Sequence, residues 1–330
     1  MVGTCEAVRG AARAGDRVLV GGGLEPLWPE LLPRLADFGG LVGPAPRHAS
    51  LLADPKALTA RMGALPMPLP PRRFGCVPAR GRWLVKPALR AGGTQVRVGE
   101  AGARLPAGWY AEPYIAGRTV SICALRVAGA LRILGAARHL ALGEAAPFTR
   151  QALAVHADPA ACGLDPEQAH ETAARVANRL DYAGIFGLDL VCCPDAGPTL
   201  VDVNLRPPAS LEWMPGAPAA LAGLLVRDLP AVAPAELPAW RGGAVVTATR
   251  AFQLDAVAAQ MLARWGHGSA VEPGWVHDLP ATGQCFAAGS PVCTVSALAE
   301  DEATLSDALA IRSRQVLALV AGRSPDTEPA

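Results

Sequence analysis

Four polar residues near the middle of the chain, Asp189, Asp202, Asn204 and Arg206, have types and spacing that could do chemistry. In LVDVNLRP, Leu200, Asp202, Asn204 and Arg206 alternate with Val201, Val203 and Leu205. Successive side chains of a strand point to opposite faces, so strict alternation gathers a carboxylate, an amide and a guanidinium on one face beside Leu200. Asp189 lies upstream in GLDLV, and the turn-forming CPDAGPT between the two stretches predicts an antiparallel hairpin. Such a hairpin can bring Asp189 beside Asp202 and Asn204. Two carboxylates and an amide oxygen are hard ligands of the kind Mg2+ prefers, and Arg206 can hold a phosphate oxygen on the same face. A hairpin whose polar face simply meets water shows the same alternation. Against that, the two strands are apolar enough to be buried on both faces, where unpaired carboxylates are costly.

A second phosphate-type signal lies about a hundred residues upstream in WLVKPALRAGGTQVRV. Lys86 ends a hydrophobic strand, and the turn that holds Gly92, Gly93 and Thr94 leads into the next. Backbone N–H groups of such a loop can close over a triphosphate while the lysine supplies a point charge. Alone, a Gly-Gly turn with a snorkelling lysine is an ordinary hairpin. Between the two signals, AEPYIAGRTVS reads as a strand entering a glycine turn. The backbone of Glu112 to Ile115 can read an adenine edge there, with Tyr114 or Ile115 packed on the base; a plain strand and turn would look the same.

The elements that must position these groups follow from periodicity. A short α/β stretch opens the chain: a strand at 16–23, a helix near 29–38, a small strand at 41–43 and helical pattern over 50–62. Gly21 to Gly23 do not satisfy the G-x-G-x-x-G fingerprint, so a dinucleotide site is rejected. Strands are expected at 83–89, 94–99, 108–115, 120–127 and 131–140, in an antiparallel sheet. A helix at 165–180 is signalled by Asp165 as its cap, Pro166 in the first turn and an apolar stripe of Ala173, Val176, Ala177 and Leu180. A helix near 217–228 follows the hairpin. The proline-rich 229–240 reads as a linker, and strands, a helix near 255–265 and a closing helix at 301–321 lie beyond it.

Bulk properties narrow the classes. The 330 residues are 51% hydrophobic and carry a net charge of +1, with 35 glycines and 31 prolines. That suits a folded protein of two or three modules. No basic stripe points to nucleic acid or an anionic membrane, and neither a signal-type segment nor a membrane-length apolar run is present. A soluble cytoplasmic protein is expected. The eight cysteines lack C-x-x-C spacing and read as reduced, and the six histidines show no ligand pairing.

A lysine strand, a Gly-rich loop, an E-x-Y-I-x-G hinge, and an Asp followed thirteen residues later by D-x-N together resemble the ATP-grasp superfamily. LVDVNLRPPASLE and DLPATGQCFAAGSPVCTV (278–295) are similar to motifs of its ATP-dependent carboligase group, related to biotin carboxylase. The likeness runs from Asp54 to Val295. It implies an α/β (α+β) ATP-grasp fold: a Rossmann-like region at 1–70, a two-lobed core at 71–228 (small lobe about 74–118, metal-binding lobe about 119–228) and an α+β extension at 229–330. It further implies ATP with Mg2+ or Mn2+, held by Asp189, Asp202 and Asn204. Lys86 and, in DPKAL, Lys56 would contact ATP; a helix-surface lysine is the plain alternative for Lys56. The adenine site would be formed by Glu112, Tyr114 and Ile115, and Arg206 would face the γ-phosphate or an acyl phosphate. A homodimer is the expected assembly.

Asp202 stands where a glutamate is usual, Leu205 where many members have proline, and GRTVS lacks the common acidic ribose-binding residue. The implied reaction is ATP-dependent carboxylate–amine ligation through an acyl phosphate, with glutamate addition to a methanopterin- or methanofuran-type cofactor precursor as one instance. Arg118, Arg126, Arg132, Arg138 and Ser210 are candidates for a carboxylate-rich substrate. Two alternatives stay open: a carboxylase using carboxyphosphate, and an ATP-binding regulatory protein without turnover.

Overall fold

The computed structural model describes residues 16–37, 40–89, 93, 95–142, 152–215, 217–226, 240–268 and 273–322. The chain divides into two compact units, one of Met1–Arg138, Ala146–Thr149 and Ala157–Ala235, the other of His139–Ala145, Arg150–His156 and Glu236–Ala330.

The first unit opens with β1 (Val18–Leu19), α1 (Trp28–Ala36) and β2 (Leu41–Val42), and the two strands pair in parallel. Val20, Trp28, Leu31, Leu32, Leu35 and Ala49 form their shared core. The helical pattern expected as one stretch over 50–62 is two helices, α2 (Pro46–Ala53) and α3 (Pro55–Met62). Asp54 breaks them: the proline after it disfavours helical backbone, and at φ −112°, ψ 94° its carboxylate caps the N–H groups of Lys56 and Ala57. His48 in α2 is fully buried, accepts the Ala45 N–H at Nδ1 and so donates from Nε2 to the Leu180 carbonyl. Burial lowers its pKa, as suits a neutral structural imidazole.

A small antiparallel sheet follows, of β3 (Trp83–Pro87), β4 (Arg97–Val98) and β5 (Trp109–Pro113), with β3 in the middle. Lys86 lies opposite Tyr110, and Leu84 opposite Glu112, so all four side chains share one face.

The larger sheet of this unit contains β6 (Arg118–Val127), β7 (Ala130–Leu140), β9 (Gly184–Cys193) and β10 (Gly197–Asn204), in the order β10-β9-β6-β7 and antiparallel throughout. Ile122 to Leu125 are fully buried in succession, so both faces of β6 are covered. α4 (Pro166–Leu180) packs on it through Ala169, Ala173, Val176, Ala177 and Leu180, capped by Asp165. Gly184 starts β9 at φ +139°, and a Cβ there would meet the Tyr182 hydroxyl at 2.9 Å. A short helix, α5 (Ala217–Val226), ends the described part of the unit. The proline-rich stretch read as a linker lies almost wholly outside the described residues.

The second unit is an antiparallel sheet of β8 (Ala152–His156), β11 (Trp240–Thr247), β13 (Val276–His277) and β15 (Pro291–Ala299), joined by the β12 (Phe252–Gln253)–β14 (Cys285–Phe286) pair. The closing helix α7 (Glu302–Val320) packs on β11 and β15, with Leu305 against Gly242, and α6 (Ala256–His267) is capped by Asp255. β8, the alanine-rich ALAVH, has no counterpart among the strands expected from the sequence.

Candidate active site

The hairpin forms, with Asp202 directly opposite Asp189 and Asn204 opposite Gly187. One part of the expectation fails: Leu200 does not share the face of Asp202. A bulge falls between them, with Leu200 opposite Leu190 but Asp202 opposite Asp189. The extra residue, Val201, resets the alternation. Leu200 is therefore fully buried on the far face, and its N–H is held by the carbonyl of Pro68. The bulge gives the acid row a purely polar composition.

That row extends onto a third strand. Ser121 of β6 lies opposite Asp189 and its hydroxyl donates to Asp189 Oδ1 at 2.5 Å, while the Asn204 amide donates to Asp189 Oδ2 at 3.0 Å. Asp202 is half-buried and accepts its hydrogen bond from the Val203 N–H, 2.9 Å. Burial, and then the Asp189 carboxylate, raise the Asp202 pKa; the charges of Lys86 and Arg72 and the Val203 N–H oppose them. Two acids that repel across neighbouring strands, with an amide beside them, suit a small divalent cation. The donor set therefore fits Mg2+; Asn204 faces Asp189 with its Nδ2 and Arg206 with its Oδ1, and a rotation of the amide would present that oxygen to a cation.

The small sheet supplies the opposing charge. Lys86 forms a buried ion pair with Glu112 Oε1, and Arg72 Nε stands 4.0 Å from Glu112 Oε2. The Arg72 guanidinium lies 4.6 Å over the Tyr110 ring. Burial pushes the Tyr110 phenol well above its ordinary range, so it is neutral at all working pH values. Glu112 is thus a buried carboxylate holding two cations, both of which act on Asp202. Arg72 and Ser121 carry no motif, and the sequence reading missed them. Glu112 was expected for its backbone; its side chain is the better-defined feature.

Of the remaining expected residues, Gly93 adopts φ +68° and its carbonyl accepts the Val96 N–H, whereas Gly92 and Thr94 lie outside the described residues. Tyr114 is exposed, its N–H is taken by the Arg82 carbonyl and its ring lies under the Arg82 guanidinium. Ile115 is half-buried beside it. Lys56 stands on the exposed side of α3 with its ammonium 5.2 Å over Phe74, and it is not among the charges that move Asp202. Arg126 and Arg138 bond the carbonyls of Tyr182 and Ala161, and Ser210 is buried with an unpartnered hydroxyl.

Arg206 is nearly buried just past β10. Its Nε pairs with Glu25 Oε1, its Nη2 donates to Asn204 Oδ1 at 3.1 Å and its Nη1 to the Pro207 carbonyl at 3.3 Å. Glu25 is 181 residues away in sequence and gave no local signal beyond following the triple glycine.

Residues 54–210 match the family model described as ATP-grasp domain. Among solved structures, the chain is similar to the biotin carboxylase domain of 2-oxoglutarate carboxylase from Hydrogenobacter thermophilus, solved with magnesium-ADP, ADP and bicarbonate. That match has a TM-score of 0.70 at 11% identity and covers 97% of this chain and 80% of that one. N5-carboxyaminoimidazole ribonucleotide synthetase from Thermotoga maritima matches at TM-score 0.58 and 12% identity, covering 87% and 78% of the two chains. L-amino acid ligase from Bacillus licheniformis matches at TM-score 0.58 and 12% identity, covering 88% and 77%. No curated protein sequence matches. Among the described residues no helix is long and apolar enough to cross a membrane. Acid and base thus face each other inside a stretch, 54–210, that matches an ATP-grasp domain, and the chain shares the fold of these ATP-grasp-like structures.

Proposed function

We propose that this protein is an ATP-dependent carboxylate–amine ligase. The observation that carries the reading is the opposition of Asp189, Asp202 and Asn204 to Lys86 and Arg72, with Arg206 tied to Asn204. Phosphoryl transfer from ATP needs positioning and charge neutralisation more than covalent chemistry, and this arrangement suits that need. Magnesium or manganese held by Asp189, Asp202 and the Asn204 amide oxygen would neutralise phosphate charge. Lys86, carried on β3 and oriented by Glu112, is the point charge for the nucleotide phosphates. Arg206 is the planar donor for the γ-phosphate and then for the acyl phosphate.

In this reading a substrate carboxylate oxygen attacks the γ-phosphorus, and the bond to the bridging oxygen breaks with its electron pair leaving on ADP. The amine nitrogen then attacks the acyl carbon, loses a proton, and phosphate departs as the amide forms. The adenine edge is assigned to the backbone around Glu112 to Ile115. The Tyr114 N–H already serves Arg82, so neighbouring backbone groups must do the reading. We place the protein in the cytoplasm, a setting that suits its seven described free cysteines.

A second reading takes bicarbonate as the carboxylate and ends in carboxylation. It is favoured by the 0.70 TM-score to a domain solved with bicarbonate, although likeness at 11% identity is a likeness of fold. ADP release separates the two when carboxylate–amine pairs, glutamate among the amines, are screened against bicarbonate alone. Ligation predicts ADP release that needs both partners and collapses in Asp202→Ala. Equal turnover in wild type and Asp202→Ala would overturn the metal-site assignment, and turnover with bicarbonate alone would favour the second reading.

A further inference from the structure

The guanidinium of Arg206 is held from the opposite end of the chain. Glu25, only 6% exposed, pairs with Nε through Oε1. On another side sits the backbone of Gly22: a Cβ placed there would lie 3.1 Å from Arg206 Cζ and 3.2 Å from both Nε and Nη1. A methyl group there is a tight contact that the guanidinium can relieve only by moving a few tenths of an ångström. The remaining nitrogen, Nη2, donates to Asn204 Oδ1, and Asn204 Nδ2 donates to Asp189. A continuous chain of polar contacts therefore runs from Glu25 through Arg206 and Asn204 to Asp189 and Ser121. An arginine has three χ angles beyond its first and many rotamers, and Glu25 with Gly22 removes most of that freedom.

We infer that Glu25, with the glycine loop at Gly22, is the positioning element that aims Arg206 at the terminal phosphate of the nucleotide. Glu25 acts through Arg206 and does not itself touch substrate. The triple glycine, unsuited to a dinucleotide, gains a role here, since its missing side chain lets the loop lie on the guanidinium. The inference rests on the assignment of Arg206 to the γ-phosphate made above.

The test reads nucleotide discrimination, which needs no knowledge of the ligation substrates. Affinities for ADP and for the non-hydrolysable β,γ-imido analogue of ATP are measured with Mg2+ by calorimetry. The variants are Glu25→Gln, Gly22→Ala, Arg206→Gln and the double variant Glu25→Gln/Arg206→Gln. An aimed arginine gives the wild type a preference for the analogue of roughly tenfold or more, the scale of a charge-assisted hydrogen bond. Glu25→Gln and Gly22→Ala should each reduce that preference while ADP affinity stays within about twofold. In the Arg206→Gln background, Glu25→Gln should change nothing further, a non-additivity that general damage does not produce. Gly22 is exposed and has no left-handed φ, so Gly22→Ala decides the matter if Glu25→Gln fails to fold. A folded Glu25→Gln or Gly22→Ala that keeps the wild-type preference overturns the inference. An Arg206→Gln variant that keeps it overturns the underlying assignment of Arg206 as well.

Discussion

Asp202→Asn tests the metal site through stability before any substrate is known. Side chains directly opposite on neighbouring strands lie about 5 Å apart, so at an effective dielectric of about 20 two carboxylates repel by about 3 kcal/mol. Both acids are half-buried, and Lys86 and Arg72 offset part of the repulsion, which leaves roughly 1–2 kcal/mol as a realistic cost in metal-free protein. The asparagine keeps an oxygen to accept the Val203 N–H, so no buried donor is orphaned. Without metal the variant should therefore be more stable than the wild type, by about 2–4 °C in Tm per kcal/mol for a unit of this size. With Mg2+ and ATP at a hundred times their Kd, the wild type should gain about 2.7 kcal/mol, and the variant only a small fraction of that. The order of stability inverts on adding ligand. Differential scanning fluorimetry with EDTA, then with Mg2+ and ATP, reads both arms. A variant that is no more stable than wild type without metal, or that gains as much from Mg2+ and ATP, would refute the reasoning.

The same pair predicts a pH dependence. The Asp202 pKa is raised in the folded state, so its proton favours the fold. That contribution is fully present below the unfolded carboxylate value and is lost as pH rises through the folded one. Metal-free wild type should thus lose stability from about pH 4 upward relative to Asp202→Asn, and parallel Tm curves for the two proteins would count against the raised pKa. Lys86→Met should destabilise by roughly 3 kcal/mol in urea, because it leaves Glu112 buried with only Arg72 nearby. Adding Glu112→Gln should recover much of that stability without restoring ATP affinity; recovery of both would make Lys86 a structural cation only.

The acid row was legible because period-2 alternation and a short turn are local properties of one hairpin. Its bulge was not, since Leu-Val-Asp carries no glycine or other residue that marks an extra position. The break at Asp54 was visible in principle, as an aspartate before proline both caps a helix and ends the preceding one. What escaped reading entirely are the long-range partners. Glu25, Arg72 and Ser121 look like ordinary surface or strand residues until the fold sets them against Arg206, Glu112 and Asp189. β8 escaped because five residues rich in alanine give neither period clearly.

Oxygen transfer tests the central claim most directly. A carboxylate that becomes an acyl phosphate passes one of its own oxygens to phosphate when the amine displaces it. With an 18O-labelled carboxylate, an amine, ATP and Mg2+, ligation predicts one 18O in each phosphate released, in step with amide formation and absent in Asp202→Asn. Phosphate that carries oxygen only from water, with ADP formed at the same rate whether or not the carboxylate is present, would contradict the account.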